Sequence, residues 1–277
     1  MTTMINLDDL VSTLNQEETK RKEQEETSKV NTDDRFLNFK AGNTYLVRLL
    51  PNIHNTAKSF TPYKEYGFPS VTTGKYIYAG LAPFTVGRSD IIKDLQWKTY
   101  SEGRDANDEA AMERSYKLFP QDKEMVNVYV VDDPVNPENN GTVKILRYSA
   151  RTTRDGTPSS PIFKKIKRAV FGEDAGHIGK NAFDFGEKGV NFAIVVEKNA
   201  GGWNDYSESG FKWPSDLGLE EAEIAEILDK TFDLETLVPE AKTDEEINRL
   251  LSEHWYGNLS ASPEAELNTS EVDSDSD

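Results

Sequence analysis

The sequence predicts a mixed β/α fold: a small β-barrel or sandwich with added helices, preceded by a helical N-terminal arm and followed by an acidic tail. Short runs of β-branched and aromatic residues recur through the middle of the chain, separated by Gly, Pro and Asn. Helix start and stop signals interrupt these runs. Acidic residues accumulate toward the C-terminus. With 277 residues, the chain is long enough for one large domain or two small ones.

Residues 1–30 form the predicted arm. Leu7, Leu10, Val11 and Leu14 recur at helical spacing, and the charged run EETKRKEQEETSK follows them. A single apolar stripe cannot fold alone, so this helix should dock either on the protein's own core or on a neighbouring molecule. The arm is therefore a candidate for self-association.

Five runs in the middle of the chain have the composition of strands. They are Tyr45–Leu50, GKYIYAG, MVNVYVV, TVKILRY and VNFAIVVEK. In MVNVYVV, the alternation of a strand puts Val126, Val128 and Val130 on one face, with Asn127 and Tyr129 on the other. This alternation leaves open whether Tyr129 lies in the core or at the surface.

The clearest helix signal lies in SPIFKKIKRAVFG. Pro in the first turn and Gly after the last predict a helix over Pro161–Phe171. Phe163, Ile166 and Val170 would face the core. The basic side chains would be exposed together, and they are Lys164, Lys165, Lys167 and Arg168.

Two more helices are predicted near the end of the core, which we place at residues 31–257. One helical region covers Leu219–Leu237, and a capping box of Thr243 and Glu246 starts another. Residues 258–277, in contrast, hold six acidic and no basic residues, with few large apolar side chains. Such a segment cannot bury enough surface to offset its ordering entropy, so we predict a disordered acidic tail.

Charge is distributed unevenly along the chain, whose net charge is −17. Residues 219–277 hold 18 acidic and 3 basic side chains and carry −15, whereas residues 1–218 hold 31 acidic and 29 basic and carry −2. Residues 144–180 hold nine basic and three acidic side chains. The acidic composition therefore does not exclude a polyanionic ligand. We expect the tail to compete with such a ligand for the cationic surface.

Several classes of protein and site are disfavoured. The chain has no cysteine, which excludes disulfides and thiolate metal sites. No apolar run approaches a membrane span and no secretory leader follows Met1, so we expect a soluble intracellular protein without a membrane partner. The three histidines are scattered without the spacing of metal ligands, and we predict neither a cofactor nor a bound metal.

Asp132 and Asp133 form a carboxylate pair that could hold a catalytic metal, as in a metal-dependent nuclease or another DNA-processing enzyme. They end a predicted strand just before Pro134, where Asp commonly forms turns. We favour the turn, and hence a protein that is not an enzyme. The other alternative is an acidic adaptor that binds only proteins.

Aromatic residues recur beside cations in the core. Proteins that bind single-stranded nucleic acid need this mixture, because cations follow the phosphates while rings stack on unpaired bases regardless of sequence. Five such groups favour a site for single-stranded DNA. We include three further cations in this predicted site: Lys123, Lys144 and Arg151. The groups are Tyr63, Lys64 and Tyr66; Lys75, Tyr76 and Tyr78; Arg114, Tyr116 and Lys117; Arg147 and Tyr148; and Trp203 and Tyr206.

Several segments resemble the single-stranded-DNA-binding, helix-destabilising proteins of T-even-type bacteriophages. The most specific are the loop DPVNPENNG and the pattern W-x-x-Y-x-E-S-x-F within GGWNDYSESGF. The similarity runs in patches from Phe36 to Gly257, with a similar acidic C-terminal end. The resemblance implies an OB-type barrel core and a DNA cleft. The residues it implies at or near that cleft are Arg48, Tyr116, Arg147, Tyr148, Trp203 and Tyr206.

The resemblance also implies a setting and a set of partners. Members of this family coat single-stranded DNA during viral DNA replication, recombination and repair, in the cytoplasm of the bacterial host. They bind DNA cooperatively, through contacts between neighbouring copies made by the N-terminal segment. Their acidic tail recruits replisome proteins such as a polymerase, a helicase loader and a recombinase.

The chain departs from the family in its zinc subdomain, which three Cys and one His normally hold. The His position falls here on Tyr66 and the first Cys position near Gly80, so we predict a form without the zinc site. The loop region from Leu81 to Asp108 would be held by packing instead. The candidates are Phe84, Ile91, Ile92, Leu95 and Trp97. In addition, Glu124 and Met125 replace an aromatic pair before one strand.

Overall fold

A computed structural model of the protein describes residues 33–258. The arm predicted over residues 1–30, and the tail predicted over residues 258–277 apart from its first residue, lie outside the described residues. The chain divides into two units, Met1–Asn38 and Phe39–Asp277. In the described part of the first unit, the Arg35 guanidinium pairs with the Asp33 carboxylate, with Nε 2.8 Å from Oδ1.

The second unit is built on an antiparallel sheet of eight strands in the described residues. The spatial order is β3, β2, β4, β1, β6 and β7, while β5 pairs with β4 and β8 pairs with β6. The long strand β4 pairs with three others, so the sheet curls into an open barrel. The strands are β1 Asn43–Leu50, β2 Thr61–Pro69, β3 Tyr76–Leu81, β4 Gln121–Asp132, β5 Val143–Ser149, β6 Val190–Lys198, β7 Asn204–Asp205 and β8 Gly210–Pro214.

Five α-helices accompany this sheet in the described chain. They are α1 Ile91–Asp105, α2 Glu109–Tyr116, α3 Pro161–Phe171, α4 Glu221–Asp229 and α5 Asp244–Leu250. Short helical turns connect them to the strands, at Thr56–Lys58, Pro83–Val86, Pro137–Asn139, Gly179–Phe183, Leu234–Leu237 and Leu251–Trp255. The mixed β/α class is confirmed, and the curled antiparallel sheet fits an OB-type barrel.

The five predicted strands and the helix α3 are present, and the predicted bounds of α3 are confirmed. Ile162, Phe163, Ile166 and Ala169 form its buried face, whereas Val170 is only half-buried. The capping box of Thr243 and Glu246 starts α5, as predicted. Sequence patterns missed the strands β2, β7 and β8.

The expectation of a loop from Leu81 to Asp108 is wrong, because α1 fills most of it. The Asp90 carboxylate caps this helix by accepting a hydrogen bond from the Lys93 backbone N–H at 3.0 Å. Asp90 also accepts a hydrogen bond from the Tyr66 hydroxyl at 3.1 Å. Burial and the adjacent Asp90 raise the pKa of Tyr66 well above its usual value.

Packing holds this region, largely as predicted. Ile92 is fully buried in a cluster with Phe68, and Phe84, Ile91 and Leu95 pack against that cluster. The prediction for Trp97 is wrong, because its side chain is 61% exposed. The C-terminal segment completes the cluster with Ile247, Leu251 and Trp255.

The central strand β4 is covered on both faces. Val126, Val128 and Val130 are fully buried on one face. On the other face, the Asn127 amide accepts a hydrogen bond from the Phe232 N–H at 3.1 Å and donates one to the Phe232 carbonyl at 2.9 Å. Tyr129 is half-buried, with its ring centroid 6.1 Å from that of Phe185. Tyr129 therefore packs at the edge of a second core.

The helix α3 closes the open side of the barrel, because it packs against both β5 and β8. A buried polar network anchors it there. The Lys167 ammonium lies 3.1 Å from the Glu124 carboxylate, which also accepts a hydrogen bond from the Tyr148 hydroxyl at 2.5 Å. Glu124 is thus satisfied by a cation on α3 and a hydroxyl on β5.

Candidate nucleic-acid interface

Four predicted site residues meet on one face of the sheet formed by β2, β3, β4 and β5. Tyr63 on β2 lies directly opposite Lys123 on β4. Arg147 on β5 lies opposite Met125, two residues further along the same face of β4. Tyr76 lies on the neighbouring strand β3. With Tyr78, these side chains form a group that we call the tyrosine–arginine face: Tyr63, Tyr76, Tyr78, Lys123 and Arg147.

A bulge turns Tyr76 and Tyr78 onto this face. Leu81 pairs with Glu65, but the pairing shifts at the next step, so that Tyr78 lies opposite Gly67 and Tyr76 opposite Pro69. The extra residue reverses the side-chain alternation of β3 from that point. The two tyrosines therefore join the face that carries Tyr63 instead of pointing away from it.

The tyrosine rings differ in exposure. Tyr76 is 55% exposed and Tyr78 is 44% exposed, whereas Tyr63 is buried. Gly67 lets the Tyr76 ring lie close to the β2 backbone, since a Cβ at this position would come within 2.4 Å of the ring. The Tyr76 hydroxyl accepts a hydrogen bond from the Gln121 side chain. Two ring surfaces are thus held open to solvent on a rigid sheet.

A carboxylate beneath the rings shapes the electrostatics of this face. Glu65 is nearly buried, and its carboxylate lies 3.5 Å from the Lys123 ammonium. Burial raises the pKa of Tyr78 to about 12, with repulsion from Glu65 adding to the shift and Arg147 opposing it. Burial likewise raises the pKa of Tyr63. Both pKa shifts show how closely Glu65 and the rings are packed together on this face.

Two of the predicted cations are matched by carboxylates on neighbouring strands. Lys123 pairs with Glu65, and Lys64 pairs with Asp122. Arg147 is exposed on β5, close enough to Tyr63 and Tyr78 to act on their pKa values. Arg147 is therefore the more exposed of the two cations on the tyrosine–arginine face.

A second group of rings runs along α1 and α2. The centroids of Trp97 and Tyr100 are 6.1 Å apart, those of Tyr100 and Tyr116 are 6.0 Å apart, and those of Tyr116 and Phe119 are 5.8 Å apart. All but Tyr100 are exposed. We call these four residues the aromatic row. Predicted Arg114 lies beside this row, but its guanidinium stacks 4.3 Å from the Trp255 ring centroid and donates to the Trp255 carbonyl at 2.6 Å.

Besides Tyr63, three further predicted site residues are buried, so their side chains offer no face to DNA in this structure. Tyr66 bonds Asp90, and Tyr148 bonds Glu124. Arg48 has no exposed surface, because α4 and the loops beside β6 cover its face of the sheet. Its guanidinium donates to Asn191 Oδ1 at 2.8 Å, to the Ser215 carbonyl at 2.9 Å and to the Asp184 carbonyl.

The remaining predicted residues lie apart from these groups. Trp203 is 74% exposed in the hairpin between β6 and β7. Tyr206 is half-buried, with its ring 6.0 Å from that of Phe39. Lys144 is half-buried on β5, and Arg151 is exposed just after this strand. The structure therefore brings together only part of the set that the sequence predicted.

A comparison with known families covers most of the chain that carries these surfaces. The family model described as gp32 DNA binding protein like matches residues 40–252. This range contains the barrel, the tyrosine–arginine face and the aromatic row.

The chain belongs to the gp32-like DNA-binding protein family.

A search of curated proteins finds no match to the chain. Membership of the gp32-like family supports binding of single-stranded DNA, and the resemblance found in the sequence is confirmed, in a form that lacks the cysteines. No helix in residues 33–258 has the length and apolar character needed to cross a membrane.

The carboxylate pair of this gp32-like chain forms a turn, as favoured from the sequence. Asp133 is fully buried and accepts hydrogen bonds from the Val135 N–H at 3.0 Å and the Asn136 N–H at 2.9 Å. The Asn139 amide donates a third at 2.8 Å. Within the described part of the chain, no group of three or more His, Cys, Asp or Glu residues could hold a metal ion.

Sequence reasoning missed most of the aromatic row. Trp97 and Tyr100 are three residues apart, which is the spacing of neighbours on one helix face. Reading residues 81–108 as a loop hid that signal. Only Tyr116 was predicted, from its place beside cations.

Proposed function

We propose that the protein is a sequence-nonspecific single-stranded-DNA-binding protein that coats DNA during viral replication, recombination and repair. The observation that carries this proposal is the pair of exposed rings, Tyr76 and Tyr78, beside Arg147 on the sheet of a gp32-like chain. Rings on a rigid surface stack on unpaired bases, and a guanidinium next to them pairs with phosphate.

This arrangement accounts for binding without sequence preference. Stacking uses the flat face that every base presents, and the phosphates are the same at every position. We propose that Tyr116 in the aromatic row and Trp203 in its hairpin contact further bases.

The buried members of the predicted site then act through position. We propose that these residues hold the strands and helices that present the exposed rings, and they are Arg48, Tyr63, Tyr66 and Tyr148. Arg151 is exposed just after β5 and adds cationic charge near the phosphates, whereas Lys144 lies on the opposite face of β5 from Arg147 and contributes less. Three predicted cations contribute less to DNA binding. Carboxylates already pair with Lys64 and Lys123, and the guanidinium of Arg114 is stacked on Trp255.

The partners proposed beyond DNA follow the resemblance. We propose cooperative assembly with further copies through residues 1–30, and recruitment of replisome proteins such as a polymerase, a helicase loader and a recombinase through residues 258–277. The setting would be the cytoplasm of a bacterial host. We propose no catalytic activity, since the buried Asp133 is engaged in its turn.

A tryptophan-fluorescence titration with poly-dT tests the proposed function. Addition of poly-dT should quench the emission to a saturating endpoint at a fixed ratio of nucleotides to protein, without degradation of the DNA when Mg²⁺ is present. Magnesium-dependent degradation would instead indicate the nuclease. The absence of any binding at low salt, where phosphate contacts are strongest, would leave only the protein-binding adaptor.

Replacing Glu65 by Gln should tighten binding to oligo-dT, because Lys123 would lose its partner and become available to phosphate. One added phosphate contact steepens the dependence of log K on log salt by about 0.7 for single strands. Glu138→Gln removes one negative charge from an exposed turn and serves as the matched control. Weaker binding by Glu65→Gln than by this control would contradict the assignment of Lys123.

A further inference from the structure

The strand β8 carries an exposed tryptophan that the proposed site does not use. Trp213 is 89% exposed, more than any other large hydrophobic side chain in residues 33–258. Burying an indole normally stabilises a fold, and a fully exposed one gives no such stabilisation. Its place on a strand rather than in a loop indicates that the side chain is presented outward.

The pairing of β8 with β6 explains this orientation. Phe211 lies opposite Phe192 and Pro214 lies opposite Val190, so Lys212 and Trp213 together face the single residue Asn191. This is the arrangement of a β-bulge, which redirects a side chain. Phe211 stays packed, with its ring 4.9 Å from that of Phe192, while Trp213 points to solvent.

Hydrogen bonds to partly buried groups fix the end of β8 just after Trp213. The Ser215 N–H donates to the Gly189 carbonyl at 2.8 Å, and the Ser215 carbonyl accepts from Arg48 at 2.9 Å. Asn191 donates to the Ser215 hydroxyl at 3.1 Å. Trp213 is therefore held on a rigid element, as a binding residue should be.

Exposed cations lie on the elements around Trp213. Lys212 is its neighbour on β8, and α3, which packs against β8, exposes Lys164 and Lys165. Among the described residues, these three lysines form no salt bridge, unlike Lys167 on the inner side of the same helix. The nearest acidic residues along the chain are Glu208, just before β8, and Asp216, just after it.

We infer that Lys164, Lys165, Lys212 and Trp213, the α3–β8 surface, form a second contact region for the same DNA strand. The inference rests on the proposed function. Exposed cations beside an exposed ring suit a ligand that has both phosphates and bases free to stack. The helix α3 packs against both β5, the strand that carries Arg147, and β8, the strand that carries Trp213, so it links the elements of the two surfaces.

Binding of a short and a long oligonucleotide separates the two surfaces. A single OB-type domain covers about 4 to 16 nucleotides, so a dT oligomer of about 5 should occupy the tyrosine–arginine face alone, and one of about 16 should reach both. Trp213→Ala should weaken binding of the long oligomer by about 5- to 150-fold, the effect of losing one stacked base. Its effect on the short oligomer should be distinctly smaller.

The lysines are tested by salt dependence. The double variant Lys164→Ala/Lys165→Ala should reduce the salt slope for the long oligomer by about 1.4, because each phosphate that the protein no longer neutralises lowers the slope by about 0.7. Lys230→Ala is the control, because Lys230 is an exposed cation at the end of the acidic helix α4. It should bind both oligomers as the wild type does. Tyr76→Ala should weaken binding of both.

The outcomes distinguish this inference from the function on which it rests. If Trp213→Ala and the double lysine variant bind the long oligomer like the wild type while Tyr76→Ala binds it weakly, the α3–β8 surface is not a DNA contact and the proposed function stands. If Trp213→Ala changes only the sedimentation of the free protein, the surface is a contact between copies, and the inference is wrong. If the wild type binds neither oligomer, the proposed function itself fails.

Discussion

Replacing Arg48 by Met should lower the free energy of unfolding by about 3 to 5 kcal/mol, because each buried acceptor left without a donor costs about 1 to 3 kcal/mol. Arg48 supplies hydrogen bonds to Asn191 and to the carbonyls of Asp184 and Ser215. Burial lowers the pKa of its guanidinium, whereas Asp184 and Asp216 favour the charged form. The energy of these bonds thus offsets the cost of taking the cation out of water.

Urea and thermal unfolding measure this effect. For a chain of this size, the melting temperature should fall by about 10 °C, at about 2 to 4 °C for each kcal/mol. Lys212→Met, which removes an exposed cation, is the control and should change stability by less than about 0.5 kcal/mol. Normal stability of Arg48→Met, combined with a loss of DNA binding, would show instead that Arg48 contacts DNA directly.

Replacing Gly189 by Ala should disrupt the same hydrogen bonds of Arg48. A Cβ at Gly189 would lie 1.9 Å from an Arg48 guanidinium nitrogen and 2.0 Å from the Asp184 carbonyl oxygen. The loop must therefore move and break the hydrogen bonds of Arg48. The variant should be destabilised to a similar extent, and combining it with Arg48→Met should add little, because both changes remove one network.

The second large effect is expected at the exposed rings. Tyr76→Ala/Tyr78→Ala should weaken binding to oligo-dT by about 2 to 6 kcal/mol, at about 1 to 3 kcal/mol for each stacked base. Stability should change little, since both rings are about half exposed. Fluorescence titration of the single and double variants gives their affinities for oligo-dT. The double-mutant cycle then gives the coupling free energy between the two neighbouring rings.

A matched control for this pair is Tyr256→Ala, which removes a ring of similar exposure from the C-terminal end of the described chain. It should bind oligo-dT as the wild type does. If the tyrosine double variant binds equally well and keeps its fold, the tyrosine–arginine face is not the DNA site. The aromatic row would then be the next surface to test, beginning with Tyr116→Ala.

Local signals in the sequence were sufficient to predict many of the strands and helices. The helix α3 was bounded correctly because Pro in its first turn and Gly after its last turn act on the backbone nearby. The capping box of Thr243 and Glu246 acts over three residues and also determined its helix start. In contrast, β2 was missed because its interior carries Gly67 and its composition lacks a clear apolar alternation.

The chemistry of the candidate site was also visible in the sequence, as rings beside cations, but its geometry was not. Only the bulge in β3 turns Tyr76 and Tyr78 toward Arg147. Only the pairing of β2 with β4 brings Glu65 to Lys123 and neutralises it. Arg48 is hidden by segments far along the chain. The sequence by itself determined which residue types were present and where the strands and helices with strong local signals formed, because those signals act between near neighbours. Which cations and rings face solvent depends on strand register and on what packs over each face, and only the tertiary structure decides that.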